Sequence, residues 1–223
     1  MRTWSVVSQK GGSGKTTLLL HLSVAAMAKG CAVSVIDLDP QRSAEQWSEL
    51  RETLAGTDEP PVVHGSPTGL DGMLEAARET DTDLVLIDTP PAVDKSMIYA
   101  AAAADVVIVP TRSSVLDQFA LAETLDYLKR IGALGKTVII INAPGSDKRA
   151  RAETERIASD GFGVSVLPLA LDDQIDFSSS LNEGRGVTEA APRRKSARTV
   201  HAIYDRLCEF ERKLGRSRRK VSA

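Results

Sequence analysis

The sequence predicts an α/β fold, a single domain whose mostly parallel, twisted sheet carries helices on both faces. Three observations lead there. Short β-branched runs alternate with helical stretches along the chain, the pattern of strands joined by crossover helices in a parallel sheet. A glycine-rich run, KGGSGKTT at residues 10–17, stands between one such strand and one such helix. The length, 223 residues with 42% hydrophobic and 26% charged content, suits one sizeable domain with its own core.

Taken in order, strands are expected at 3–8 (TWSVVS), 32–37 (AVSVID), 61–64 (PVVH), 83–88 (DLVLID), 105–110 (DVVIVP), 136–142 (KTVIIIN) and 164–168 (VSVLP). The third lies inside a polar, proline-broken stretch at 56–67, which reads as a connection and not a domain boundary. Helices are expected at 15–29, 44–55 and 116–131. In the last, Leu116, Phe119, Ala120, Leu121, Leu125, Leu128 and Ile131 recur at the spacing of one buried face, so that face is core. Val200, Ile203, Tyr204, Leu207 and Leu214 form a similar stripe, which predicts a final helix laid on the domain. The domain is therefore drawn at 1–211, with 212–223 as a basic, flexible tail.

Composition narrows the function. No apolar run approaches the ~20 residues that span a bilayer, and the amino terminus leads straight into the glycine run without space for a signal peptide. A cytoplasmic protein is expected. Cys31 and Cys208 stand apart, without a metal-ligand pattern, and read as small buried hydrophobes; His21, His64 and His201 read as structural or surface residues. Net charge is −2, but the last forty residues hold 12 Lys and Arg against 4 Asp and Glu, leaving 16 against 26 in the rest. A basic carboxyl-terminal fifth suits either a polyanion partner or an ordinary solvated face.

The run KGGSGKTT departs by one residue from the usual phosphate-loop pattern, because Gln9 occupies the position of its first glycine. The loop chemistry survives that change. Gly11, Gly12, Ser13 and Gly14 supply a backbone that folds round an anion at a helix start, Lys15 is placed for the β- and γ-phosphates, and the hydroxyls of Thr16 and Thr17 follow, that of Thr16 facing Mg²⁺. Asp37 and Asp39 in VIDLDPQ, and Asp88 in LVLIDTPP, lie at the carboxyl ends of apolar strands, where ligands of open α/β sheets bind. Carboxylates placed there either cap the next helix or face a cation.

Together, KGGSGKTT, DLDPQRSA and LIDTPP resemble the ParA/MinD family of P-loop ATPases, whose phosphate loop carries an extra lysine near its start. Lys10 matches that lysine. The likeness extends to Trp47, to PTRSSVLD at 110–117 and to LNEGRGVTE at 181–189, and is strongest to the small ParA partition proteins. It implies an ATP- and Mg²⁺-dependent enzyme that forms a homodimer face to face when ATP is bound, with Lys10 reaching the partner's phosphates. It further implies that Asp39 positions the attacking water, Asp37 lies near the metal, Asp88 holds Mg²⁺ through water, and Asn142 contacts adenine. No arginine finger is evident, so slow hydrolysis stimulated by a ParB-like partner protein is expected.

ParA-type dimers bind double-stranded DNA without sequence preference, which would place the protein on the nucleoid, and Arg193, Arg194, Lys195 and Arg198 are the candidate contact. With 4% aromatic residues there is little to stack on bases. One departure is visible: where many family members carry an arginine, near Gln174, this chain is acidic, with Asp172, Asp173 and Asp176. Two other readings share the fold. A MinD-like membrane switch needs bulky apolar residues beside its cations, and the tail offers only Leu214 and Val221. A metabolic enzyme like dethiobiotin synthetase gives Lys10 no role. No membrane partner is expected.

Overall fold

The structure, a computed structural model, describes residues 1–142, 147–171 and 174–221. Seven strands form one sheet: β1 (Arg2–Val6), β2 (Val33–Asp37), β3 (Val62–His64), β4 (Leu84–Asp88), β5 (Val106–Thr111), β6 (Thr137–Asn142) and β7 (Ser165–Leu171). Their order is β3-β2-β4-β1-β5-β6-β7, and every pairing is parallel. The expected strands are all present, and only β7 runs clearly beyond its expected end. It includes Pro168, which an edge strand tolerates because no neighbour needs its missing N–H, and the register with β6 shifts between Ile139 and Ile141.

Successive strand residues point to opposite faces, and both faces are buried. Trp4, Val6, Val33, Val35, Leu84, Leu86, Val106, Ile108, Val138 and Ile140 pack under α1 (Lys15–Met27), α2 (Ser43–Ala55) and α9 (Lys195–Val221). On the other face, Val107, Val109 and Ile139 pack against α4 (Lys95–Ala103) and α5 (Val115–Arg130), and Ile36, Val85 and Ile87 against α3 (Leu70–Glu79). The remaining helices are α6 (Lys148–Arg156), α7 (Gln174–Asn182) and α8 (Val187–Ala190). The stripe of Val200, Ile203, Tyr204 and Leu207 is buried as the sequence predicts.

Two expectations are corrected. The apolar face of α5 is core only from Leu121 onward: Leu116 and Phe119 are 71% and 65% exposed, beside Val115 at 63%. At ~1.5 Å per residue α5 is ~24 Å long, whereas the strand it follows spans ~20 Å, so its first turn runs past the sheet. The second concerns the tail. Residues 212–221 continue α9 as helix, because the stretch is rich in Arg and Lys, contains no proline, and is anchored by Leu214 packed against the core.

Candidate nucleotide-binding site

The site gathers at the carboxyl ends of β2, β4 and β1, three adjacent strands of the sheet. β1 ends at Val6, and residues 7–14 turn back into α1. Gly14 makes the entry: it is the residue before the helix and has φ +88°. A Cβ there would come within 1.9 Å of Asn142 Nδ2, so both the backbone angle and the packing exclude a side chain. Asn142, at the end of β6, donates from Nδ2 to the Ser13 carbonyl at 2.9 Å and braces the loop from behind. In this geometry one amide hydrogen serves the loop backbone. Gly11 and Gly12 are exposed, and the buried Ser13 Oγ has no hydrogen-bond partner.

Lys15 opens α1 and is 7% exposed. Burial pushes its amine below the usual lysine range, while Asp88 and Asp39 pull it back up. Thr16 Oγ1 donates to Asp88 Oδ2 at 2.5 Å. Asp88 is fully buried, and its carboxyl is pushed up to about 7, first by burial, with the neighbouring charges of Asp37 and Asp39 adding to it against the pull of Thr16 and Lys15. Its Oδ1 accepts from Thr89 N at 3.1 Å. It is not a helix cap: Asp94 caps α4, accepting from Met97 N at 3.2 Å.

Asp37 is used differently. Oδ1 accepts from Asp39 N at 2.9 Å, and Oδ2 from Ala44 N at 3.0 Å and Glu45 N at 3.3 Å, so the carboxylate ties the β2–α2 turn and satisfies the first amides of α2. Burial still pushes its carboxyl above the usual range. Asp37 thus accepts from amides at the start of the next helix, which Asp88 does not. Asp39, 8% exposed, accepts from Gln41 N at 2.9 Å. The half-buried Thr17 lies one residue further along α1.

Lys10 folds back on its own chain, with Nζ 2.5 Å from Asp117 Oδ1. Asp117 closes the first turn of α5 with Ser114, whose Oγ donates to Asp117 Oδ2 and accepts from Asp117 N. This partner is legible only in part from the sequence: S-x-x-D in SSVLD is a helix-start signature, but nothing local links it to a lysine 107 residues away. Gln9 completes the loop, donating from Nε2 to Glu123 Oε2 at 2.6 Å, so the residue that breaks the glycine pattern tethers the loop to α5.

These groups test the fit of a nucleotide with Mg²⁺. Among the described residues no three His, Cys, Asp or Glu side chains form a ready-made metal cage. A nucleotide-bound Mg²⁺ needs none, because it takes phosphate and water oxygens plus one or two protein ligands. Thr16 Oγ1 and Asp88 fit that role, and the loop backbone fits the phosphates.

All four residues of the basic cluster are exposed, and Arg194 and Arg198 also bond within the chain. Arg194 is paired with the buried Asp176, which also accepts from Ser196 Oγ at 2.7 Å. Arg198 donates to the Arg193 carbonyl at 2.6 Å. Arg194 keeps 69% of its side chain exposed despite the pair. Asp176 is thus not the surface acid that the sequence suggests, and Asp172 and Asp173 lie outside the described residues.

Residues 4–187 match the family model described as the CobQ/CobB/MinD/ParA nucleotide binding domain. The chain belongs to that family. Among curated relatives, "Maintenance of carboxysome distribution protein A" of Gloeobacter kilaueensis is 30% identical over 210 residues, covering 93% of each chain. The chromosome-partitioning ATPase Soj of Thermus thermophilus is 27% identical and covers 94% of each. Solved structures agree on the fold: MinD in the MinC:MinD complex of Aquifex aeolicus superposes with a TM-score of 0.74 at 18% identity, covering 94% of this chain and 96% of that one. MinD of Pyrococcus horikoshii, solved with Mg-ADP, gives 0.73 at 20%, covering 92% and 95%. In this family member, two residues of the motif at 181–189 pack on Arg51 of α2. Gly184 has φ +66° and lies so close to Arg51 that a Cβ would sit 2.7 Å from its Cα, and Glu189 receives Arg51 Nη1 and Nη2 at 2.8 and 2.7 Å.

Proposed function

We propose that this family member is an ATPase that dimerises on ATP and positions a cargo, a plasmid, a chromosome region or another assembly, on non-specific double-stranded DNA in the cytoplasm. The observation that carries the reading is the convergence on Asp88. The Thr16 hydroxyl bonds to it, and Lys15, buried at the helix start, is drawn to it and to Asp39. The names of the relatives, a chromosome-partitioning ATPase and a carboxysome distribution protein, support the positioning role.

In this mechanism the amides of residues 11–14 and the amine of Lys15 hold the β- and γ-phosphates, and Thr16 and Asp88 hold Mg²⁺. The metal, when bound, neutralises charge that builds on the phosphate oxygens. Asp39 orients the attacking water, and Asp37 fixes the turn that carries Asp39. Lys10 exchanges Asp117 for the partner subunit's phosphates, which links dimer formation to the nucleotide. Arg193, Arg194, Lys195 and Arg198 meet DNA phosphates, doubled in the dimer, while a ParB-like adaptor chooses the cargo and accelerates hydrolysis.

Sedimentation velocity with ATP, with ADP and with duplex DNA tests the proposal. The wild type is expected to dimerise with ATP only and to bind DNA as that dimer. Lys15→Ala is expected to stay monomeric, and Asp39→Ala to dimerise without hydrolysing. A monomer that hydrolyses ATP and ignores DNA would support a metabolic enzyme instead.

A further inference from the structure

At the amino end of β1, across the sheet from the nucleotide loop, Arg2 spreads its guanidinium between the two cysteines. Nη1 donates to Cys208 Sγ and Nη2 to Cys31 Sγ, each at 3.4 Å. Nη2 also donates to Tyr204 Oη at 3.3 Å, and that Oη lies 3.1 Å from Cys31 Sγ. Since Tyr204 Oη accepts from Arg2, its own proton is available to the sulfur. Cys31 therefore faces a guanidinium and a phenol, and Cys208 faces the same guanidinium. One cysteine follows α1 and the other lies in α9, yet both sulfurs contact nitrogens that share one carbon atom.

Two cysteines serving only as small hydrophobes need no cation. Here both are half-buried at the rim of the core, Arg2 is 32% exposed, and Glu211 lies 3.5 Å from it. A thiolate formed on either sulfur would lie against a permanent positive charge, and thiolates are the species that attack peroxides and disulfides. Nothing in the nucleotide site uses these groups.

We propose that Cys31 and Cys208 are a peroxide-reactive pair, oxidised to a disulfide that fastens α9 to the turn after α1. The Cys31 thiolate attacks one oxygen of hydrogen peroxide; the O–O bond breaks, and the departing hydroxide takes up the proton that Cys31 released, giving water and a Cys31 sulfenic acid. Cys208 Sγ then attacks the Cys31 sulfur. The S–O bond breaks, the hydroxide leaves with the Cys208 proton as a second water, and the disulfide remains. The two sulfurs lose two electrons and the peroxide gains them. Arg2 moves aside towards Glu211, so that the sulfurs close to ~2 Å.

The test uses the full chain, without nucleotide, treated with hydrogen peroxide and then with N-ethylmaleimide. The expected result is a mass lower by two hydrogen atoms, no maleimide adducts, a peptide carrying Cys31 joined to one carrying Cys208, full reversal by dithiothreitol, and a Tm raised by several degrees. Cys208→Ser is expected to stop at oxygen adducts on Cys31. Arg2→Gln is expected to slow the reaction about ten-fold while leaving it able to finish. Independent oxidation of each cysteine, cross-linking between molecules, or no reaction at a dose that consumes free cysteine would overturn the proposal, and so would an Arg2→Gln variant that oxidises at the wild-type rate.

Discussion

Replacing Gly14 by alanine tests how the loop is held. Two costs are expected. A left-handed backbone with a Cβ costs ~1–2 kcal/mol, and the new methyl must displace Asn142, whose Nδ2 would be 1.9 Å away. Displacement breaks the 2.9 Å bond to the Ser13 carbonyl and leaves buried polar atoms unpaired, at ~1–3 kcal/mol. The sum, about 2–5 kcal/mol, is a large part of a domain stability of ~5–15 kcal/mol, and it should lower the urea midpoint by ~1 M or more. Asn142→Ala alone should cost ~1–3 kcal/mol. In the double variant the clash is gone, so its cost should fall below the sum of the singles by a coupling energy of ~1 kcal/mol or more. Urea unfolding of the four proteins measures this, and titration with a fluorescent ATP analogue reports the loop itself. Additive losses, or a Gly14→Ala protein as stable as the wild type, would refute the account.

Three further outcomes are expected. Asp117→Asn should release Lys10, raising its acetylation by an activated ester several-fold, read by mass spectrometry, with a stability change within ~1 kcal/mol since the pair is partly exposed; unchanged reactivity would count against the pairing. Arg51→Met removes the donors to Glu189 and to the Gly184 carbonyl and should cost ~2–3 kcal/mol, less than for a fully buried pair because Glu189 can rehydrate, measured as a lowered Tm. His21, fully buried and accepting at Nδ1 from Val187 N at 3.1 Å, is pushed down to about 4 by burial. Its folded pKa lies below its unfolded value, so the unfolded chain binds the extra proton: stability should be complete above pH ~6.5 and fall by up to ~3 kcal/mol as pH drops to ~4. Urea midpoints at pH 7 and pH 5 should differ less for His21→Gln than for the wild type.

The phosphate loop and the strand-end aspartates were legible because their information is local. Gly14-Lys15-Thr16 must follow a strand and open a helix, and both elements carry their own periodicity. Roles that depend on a distant partner were not legible. Asp37 and Asp88 look alike at two strand ends, yet one ties the β2–α2 turn through its amides while the other accepts from Thr89 N and from the Thr16 hydroxyl of the loop helix. The stripe on α5 had the right period, but only its packing length shows that Leu116 and Phe119 pass the end of the sheet.

The sequence by itself determined the α/β alternation, the glycine-rich loop between strand and helix, and the family. Turn residues, hydrophobic period and spacing act within a few positions, so the chain order contains them. Tertiary structure alone decided that Lys10 meets Asp117, that Asn142 bonds the Ser13 carbonyl, that Arg194 pairs with Asp176, and that two isolated cysteines share one guanidinium. Each of these joins residues that only the sheet order or the packing of helices on the sheet brings together, and the geometry of such contacts has no local signature.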